Sequence, residues 1–367
     1  MKSFSKLYIP IALETLCYML AGMVDTIMLS TVGDNAVGAV GTANTYINVF
    51  IIMFHVVSSG MIAVMTQYIG AKRIGIAYQA RQLGAVFNAV LGFALSVFLF
   101  AFSGTILEIV GVAPLLMDYA KTYLKIVGGC CFLNALIPIF SSYLRAFGYT
   151  KQPLIATLVA NAVNFGLNAV FLFGLHAGVA GVAWATVLSR ILNLGIVIVA
   201  SKLLVKAKED PERLKNTEVF AQIIKVGLPS ALETALYNVA MTLTIRFMNQ
   251  MDASGFNVTA RAYAAQIANF SYCAGAALAQ ANAIMTGWRI GEGDYEACDK
   301  GTKKAACIGI LVAAGLEALF VFSADVLIRI FTQDLEMIRL VKTLLAIDIL
   351  LEVGRVTNLV FGQALKT

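Results

Sequence analysis

The sequence contains few charged residues, and this scarcity excludes most classes of soluble protein. Only 13% of its 367 residues are Asp, Glu, Lys or Arg, whereas a soluble domain carries roughly 25%. Histidine occurs twice, and the six cysteines form no CxxC or other metal-ligand spacing, so we predict free, packed thiols. HExxH, GxSxG and P-loop motifs are missing from the sequence, so we predict neither an enzyme nor a bound cofactor. A net charge of +6 in so apolar a chain indicates basic loops at a membrane and not a nucleic-acid partner.

Apolar residues are abundant: they make up 59% of the chain, and the mean hydropathy is +0.81. A membrane-spanning helix needs about 20 mostly apolar residues in a row. Ten such runs occur, at residues 7–30, 40–68, 81–107, 119–144, 153–174, 178–204, 221–250, 258–287, 302–324 and 337–365. The sequence therefore predicts an all-α polytopic membrane protein in the lipid bilayer.

The positions of the basic residues predict the orientation of these spans. If the N-terminus lies in the cytoplasm, most of the 27 Lys and Arg residues fall in inner loops, and the turns at residues 33–35 and 175–178 carry none. Cytoplasmic loops are normally the basic ones. We expect a multi-pass protein of the cell (inner) membrane with a cytoplasmic N-terminus. The first run is predicted to be a span and not a cleavable signal, because it is long and carries Glu14 and Asp25.

Two stretches of the sequence repeat each other. Residues 10–18 (PIALETLCY) and 229–237 (PSALETALY) agree at six of nine positions, and Gly70 and Gly291 keep nearly the same offset. Six predicted helices separate the two stretches, so both begin on the same side of the membrane. The halves are therefore predicted to be parallel repeats, an arrangement found among secondary transporters.

The repeat also defines the predicted domains. Residues 1–205 form an N-lobe of six helices, the charged residues 206–220 form a cytoplasmic linker, and residues 221–367 form a C-lobe of four helices. Lys366 corresponds to Arg145, after which the first half continues for two more helices. We therefore expect either a version of a twelve-helix protein that lacks the last two helices or a fragment of such a protein.

Acidic residues at membrane depth are functional candidates because burying their charge is costly. Asp25 lies in the first predicted helix and its counterpart in the repeat is Thr244, so this carboxylate suits a cation or proton site in one lobe. The alternative is a structural aspartate paired with an amide. Glu14 and Glu233 occupy equivalent places and are predicted to brace the starts of their helices, near the positive end of the helix dipole. A role of these two in substrate binding or coupling is the alternative.

Polar side chains form stripes along three predicted helices. A stripe in a membrane helix must face protein or water, since lipid offers no hydrogen bonds. Such stripes either line a polar cavity or join helices by hydrogen bonds. They comprise Asn44, Asn48 and His55 in the second helix, Asn161, Asn164 and Asn168 in the fifth, and Gln266, Asn269 and Gln280 in the eighth.

The tenth predicted helix carries a cluster of charged residues. Glu352 and Arg355 are three residues apart and can neutralise each other, either as structural glue or as a charge-coupled switch. Asp348 is close to them in sequence, and Glu317 in the ninth helix has no evident partner.

These motifs, in this order, resemble the multidrug and toxic compound extrusion (MATE) family of transporters. The residues that carry the resemblance are Pro10 and Glu14 followed by VDTIM at 24–28, YIGAK at 68–72, YLRAFG at 143–148, Asn164 and Asn168 with GVAGVAWAT at 178–186, GLP at 227–229, and Glu352, Arg355 and Asn358. They are spread over essentially the whole chain.

The resemblance implies a fold and an activity. Members have two six-helix lobes around a central cavity and export organic cations and drugs in exchange for Na⁺ or H⁺. Asp25 matches the helix 1 aspartate implicated in coupling, and Asn164 matches an amide of an N-lobe site. Asn168 stands where one branch of the family has an aspartate. Another branch takes acidic cation ligands from helices 7 and 10, where Glu233 and Glu352 lie.

The function predicted from the sequence is secondary active antiport by alternating access of two lobes. Asp25, Asn164 and Asn168 would bind the coupling ion, with Na⁺ at Asp25 the only metal ion expected, and the stripe residues Asn44, Asn48, His55, Gln266, Asn269 and Gln280 would line the substrate cavity. The substrates would be small organic cations and the protein a monomer. The alternatives are a lipid-linked precursor flippase of a related fold and a non-transporting membrane scaffold.

Overall fold

The structure, a computed structural model, is built from α-helices, and its described part contains no β-strand. The structure describes residues 3–109, 111–205, 211–251, 255–329 and 331–367, except for the side chains of Asp34 and Asn249. The helices are α1 Phe4–Ser30, α2 Asp34–Gly70, α3 Ile74–Ile109, α4 Pro114–Tyr123, α5 Phe132–Ala146, α6 Lys151–Ala169, α7 Gly178–Leu204, α8 Asn216–Met251, α9 Phe256–Glu292, α10 Tyr295–Phe322, α11 Ala324–Ile328 and α12 Leu335–Leu365. Two π-helical segments, Leu124–Gly128 and Val170–Gly174, extend α4 and α6.

Each predicted span lies on one of these helices or on a neighbouring pair. The fourth predicted span is broken into α4 and α5, which meet at an angle of 44° where the chain passes Gly129 and Cys130. In the described part of the chain, seven helices are long and apolar enough to cross a membrane, and the bent pair raises this to as many as eight. Helices α9 and α12 are also long enough to cross a membrane, but they carry more polar residues. That they span the membrane therefore stays a prediction.

The chain forms two compact units. The first comprises Leu13–Ala231, and the second comprises Met1–Ala12 together with Leu232–Thr367. The boundaries therefore lie inside helices α1 and α8, shortly after Pro10 and Pro229, and not in the linker from which the lobes 1–205 and 221–367 were predicted. The reason is local packing: the start of α1 packs against the second unit, and the start of α8 is buried in the first unit.

In the first unit, α3 packs against α5 through small and polar side chains. The Asn88 amide donates to the carbonyl oxygen of Ala135 at 3.0 Å, and the Ser96 hydroxyl accepts the backbone N–H of Phe132 at 3.0 Å. Between them, a methyl group at Gly92 would lie only 2.9 Å from Phe132 and Ala135, so α3 and α5 are in close contact. The opposite face of α3 exposes Val86, Val90, Phe93, Val97 and Phe100. Close packing through small residues with an apolar exterior is typical of helices in lipid.

Nearly half of α8, up to Ala231, is part of this first unit. A Cβ atom at Gly60 would approach the carbonyl oxygen of Ile223 to 2.0 Å, so the backbones of α2 and α8 touch. Upstream, the Gln79 amide donates to the Leu214 carbonyl oxygen at 2.7 Å and accepts the Leu214 backbone N–H at 3.1 Å. The described end of the predicted linker is therefore anchored on the unit, and Lys206–Asp210 lie outside the described residues.

The second unit is centred on α9, α10 and α12. The Val356 side chain of α12 fills the space left by two glycines, Gly275 of α9 and Gly309 of α10, where added Cβ atoms would lie 2.8 and 2.6 Å from its methyl groups. Phe4 and Tyr8, at the start of α1, pack against the same cluster. This close contact brings the polar residues one turn before Val356 into the interior of the unit.

Candidate functional site

Asp25 lies in the first unit beside two asparagines of α6. The Asn168 amide nitrogen donates to the Asp25 carboxylate at 2.7 Å and to the Asn164 side-chain oxygen at 3.1 Å. Asn164 and Asn168 are one helical turn apart, so both amides face α1, and both are buried. The structure thus brings together the three residues that the sequence assigns to ion coupling; their role in coupling stays a prediction.

Further polar side chains surround this site, and the sequence did not assign them to it. Arg190 of α7 acts electrostatically on Asp25. The buried Tyr123 of α4 interacts with the side chains of Asn44 on α2 and Thr186 on α7. Arg190 had a sequence signal, because it is a charged residue in the apolar run 178–204. Tyr123 had none, because a tyrosine in an apolar helix is common.

The site offers oxygen atoms to a cation. The Asn168 side-chain oxygen is buried and, within the described part of the chain, accepts no hydrogen bond. A buried acceptor without a donor is costly, and here it lies on the residue that contacts the Asp25 carboxylate. Carboxylate and amide oxygens are the ligands that hard cations prefer. The described residues include no group of three or more His, Cys, Asp or Glu side chains that could hold a metal ion, so any cation here would depend on Asp25 and the amides.

Glu14 and Glu233 do not brace the starts of their helices, contrary to the sequence prediction. Helix α1 begins at Phe4 and α8 at Asn216, because the amphipathic segments before both acids are also helical. The Glu14 carboxylate is buried and forms an ion pair with Arg145 at 2.7 Å. The Glu233 carboxylate, which is more than half exposed, forms one with Lys366 at 2.6 Å. Because Lys366 corresponds to Arg145 in the repeat, the two units contain equivalent ion pairs.

The stripe residues predicted to line a substrate cavity differ from one another in exposure. Asn48 and His55 on α2 are exposed, as are Gln266 and Asn269 on α9, whereas Asn44 and Gln280 are half-buried. Asn44 belongs to the polar surroundings of Asp25 through Tyr123. The cavity role of these residues stays a prediction.

The second unit contains its own group of charged residues. Glu352 is fully buried and forms an ion pair with Arg355 one turn away on α12, as their spacing predicted. The Arg355 guanidinium also lies 5.8 Å from the centre of the Tyr272 ring on α9. Asp348 on α12 and the buried Glu317 on α10 interact electrostatically with this pair.

Comparison with known proteins adds independent evidence. The family profile described as MatE matches residues 10–170 and 229–367. The chain is 33% identical over 364 residues to the "Uncharacterized transporter YisQ" of Bacillus subtilis (strain 168), covering 97% of this chain and 79% of the relative. It is 27% identical to the "Probable multidrug resistance protein NorM" of Thermotoga maritima, covering 93% and 74%.

Solved structures share the fold. The outward-facing conformation of a multidrug resistance MATE family transporter of the MOP superfamily superimposes with a TM-score of 0.87 at 20% identity, over 98% of this chain and 82% of that one. A MATE structure in the straight conformation gives a TM-score of 0.88 at 21% identity, over 99% and 82%.

Helices that cross the membrane, arranged as two repeated units with polar and charged groups in their interiors, define a multi-pass membrane transporter. With a family profile that matches most of its length, the chain belongs to the MATE family of multidrug transporters.

Proposed function

We propose that this transporter is a secondary active antiporter that exports small organic cations in exchange for Na⁺ or H⁺. The observation that carries the proposal is the contact of the half-buried Asp25 with the buried Asn164 and Asn168, in which one carboxylate is held by one amide. Asp25 is an intramembrane acid, and a group of this kind commonly marks an ion pathway.

The coupling ion binds at the Asp25 carboxylate. A proton neutralises it directly, whereas Na⁺ takes the Asp25 carboxylate together with the oxygen of Asn168 that lacks a donor. In either case the negative charge of Asp25, which acts on Arg190, is neutralised. Ion binding therefore changes the attraction between α1 and α7, and this difference gives the ion unequal affinity for two conformations. Unequal affinity is what allows an ion gradient to drive a conformational change.

The protein works as a monomer in the cell (inner) membrane, with its N-terminus in the cytoplasm. The distribution of Lys and Arg supports this orientation. The exposed stripe residues Asn48, His55, Gln266 and Asn269 offer polar contacts to the substrate. A cationic substrate suits an exchanger whose coupling site is an acid, because ion and substrate then compete for negative charge.

Dye efflux from cells tests the proposal. Cells expressing the protein or its Asp25→Asn variant are loaded with a fluorescent organic cation, and export is followed with Na⁺ present, with Na⁺ replaced by K⁺, and with a protonophore. We expect wild-type export to depend on one of the two ions and Asp25→Asn to abolish that dependence. Loss in the Na⁺-free arm alone identifies Na⁺ as the coupling ion, and loss with the protonophore alone identifies H⁺.

A matched control makes the same chemical change elsewhere. Asp299→Asn removes an exposed carboxylate of α10 that pairs with Lys303, and it should leave export and its ion dependence unchanged. Unchanged, ion-dependent export by Asp25→Asn at normal expression would refute the coupling role of Asp25.

A further inference from the structure

Arg81, in the second turn of α3, is a cation without a partner of opposite charge. Its guanidinium takes part in none of the ion pairs between described residues. Its Nε atom is buried and has no hydrogen-bond partner among the described residues. Because a guanidinium carries five N–H donors and no acceptor, this buried donor is left for a group outside the described chain.

Three aromatic rings surround this guanidinium. Its central carbon lies 4.6 Å from the centre of the Tyr78 ring, 5.2 Å from that of Tyr143 and 5.5 Å from that of Phe140. Such rings attract a cation but leave its charge and its N–H donors in place. Tyr143 adds a donor of its own, because it is 2% exposed and its hydroxyl has no hydrogen-bond partner among the described residues. Two unpaired donors thus belong to one cluster between α3 and α5.

The charge around this cluster is positive. The guanidinium of the exposed Arg213, in the segment before α8, lies 5.7 Å from the centre of the same Tyr78 ring. Glu212, the neighbour of Arg213 in the chain, is paired with Arg73 at 2.8 Å. Two arginines therefore share one tyrosine ring, and the adjacent acid is engaged by a third arginine. An anion is the ligand that supplies both the missing acceptor and the missing charge.

The cluster lies at the edge of the membrane. Arg81 begins the predicted span 81–107, and Tyr143 is the residue before the end of the predicted span 119–144, so both lie at the level of the lipid headgroups. Basic pockets between helices at the cytoplasmic face bind anionic lipid headgroups. A free phosphate ion would use the arginines alone, whereas a lipid would also use the apolar side chains that α3 exposes beyond Arg81, which are Val86, Phe87 and Val90.

The repeat indicates that the fold does not require a cation at this place. At the offset that relates Gly70 to Gly291, the counterpart of Arg81 is Thr302. Thr302 is buried, and its hydroxyl accepts a hydrogen bond from the Asn282 amide at 3.3 Å. A neutral side chain with an internal partner thus occupies the equivalent position in the second unit. A ligand therefore explains Arg81 better than packing does.

We propose that Arg81, Arg213 and Tyr143 bind the phosphate group of an anionic phospholipid, whose acyl chains lie along the exposed apolar face of α3. The two guanidinium groups and the Tyr143 hydroxyl donate to the phosphate oxygens. A zwitterionic lipid carries a cation beside its phosphate, which the arginines repel, so the site selects anionic headgroups. This binding goes beyond the antiport proposed above and does not require it. Only its assignment to the inner leaflet rests on the proposed orientation.

Native mass spectrometry of the protein, delipidated in detergent and titrated with phosphatidylglycerol, measures this binding. We expect Arg81→Gln to raise the dissociation constant at least about tenfold, the effect of one lost charge-assisted hydrogen bond. Arg81→Lys, which keeps the charge and loses the planar fork, should lie between Arg81→Gln and the wild type. The matched control Lys304→Gln removes an exposed cation of α10 on the same predicted side of the membrane, and it should bind the lipid as the wild type does.

Tyr143→Phe is a second variant, and it retains the aromatic ring beside Arg81. We expect it to bind phosphatidylglycerol about two- to tenfold more weakly, the effect of one lost neutral hydrogen bond. Without lipid it should be as stable as the wild type, because the removed hydroxyl has no partner among the described residues. This variant keeps the proposal testable if Arg81→Gln does not fold.

Three outcomes would overturn the proposal. Equal affinities for phosphatidylglycerol and phosphatidylcholine would show that the site does not select anionic headgroups. Displacement of the lipid by an equal concentration of inorganic phosphate would identify a free anion as the ligand. Unchanged binding by both Arg81→Gln and Tyr143→Phe would place the lipid elsewhere. The assay involves neither an ion gradient nor Asp25, so a failure here is distinct from a failure of the antiport proposal.

Discussion

The two equivalent ion pairs permit a quantitative test, because each joins a glutamate to a basic residue and the two glutamates differ in burial. In the first unit the Glu14 side chain is 2% exposed and that of Arg145 is 15% exposed. In the second unit the Glu233 side chain is 57% exposed. We consider the same perturbation, Glu to Gln, at both places.

The expected magnitudes differ severalfold. Glu14→Gln leaves the buried guanidinium of Arg145 without this carboxylate, and breaking a buried pair costs about 3–5 kcal/mol. Glu233→Gln breaks a pair that water screens, which costs about 0–1 kcal/mol. Removing both partners of the buried pair, as in Glu14→Gln with Arg145→Gln, should recover part of the loss, because no unpaired charge is then buried.

Equilibrium unfolding of the purified protein in mixed micelles, titrated with dodecylsulfate, measures these differences. Expression and monodispersity are checked first, so that a misfolded variant is recognised. Equal losses for Glu14→Gln and Glu233→Gln, or the larger loss for Glu233→Gln, would refute the reasoning. So would a double variant that is less stable than Glu14→Gln alone.

Three further predictions concern packing and the candidate site. Gly227→Ala should destabilise the protein by about 1–3 kcal/mol, because its Cβ atom would lie 1.8 Å from the Val56 carbonyl oxygen; in the same unfolding assay Gly354→Ala, which meets nothing within 4 Å, should be neutral or stabilising. Asn88→Ala should cost roughly 0.6–1.7 kcal/mol, the value of a hydrogen bond between membrane helices, and a loss near zero in that assay would contradict the observed contact. Asn168→Asp places a second carboxylate at the coupling site and should tighten cation binding there, measured as a lower half-saturating ion concentration for dye export; an unchanged value would contradict the role of this position.

The arrangement of helices was largely predictable from the sequence, because apolar runs of sufficient length have few alternatives in a membrane. The run 178–204 has the same bounds as α7. The break between α4 and α5 was missed, since residues 119–144 are mostly apolar and hydropathy does not record a bend. The starts of α1 and α8 were placed too late, because their first turns are amphipathic and not purely apolar.

The candidate site was predictable in part. An acid in an apolar helix is conspicuous, and asparagines at a spacing of four residues must share a face, so Asp25, Asn164 and Asn168 could be selected. The contact partner of Glu14 could not be, because an ion pair between α1 and α5 depends on tertiary packing that one sequence does not encode in any local pattern. The same holds for Tyr143 beside Arg81, since tyrosine is ordinary near the ends of membrane helices.

The contact between Gly60 and Gly227 affects how the protein can be divided. A cut in the charged segment before α8 would give two fragments. The first would lack the residues of α8 that cover Gly60. The second would lack the start of α1, which packs in the same cluster as Val356. Each fragment alone would be an incomplete fold. Two co-expressed halves should be stable only as a complementing pair, and exchanging halves between relatives should fail unless the starts of α1 and α8 are exchanged to match.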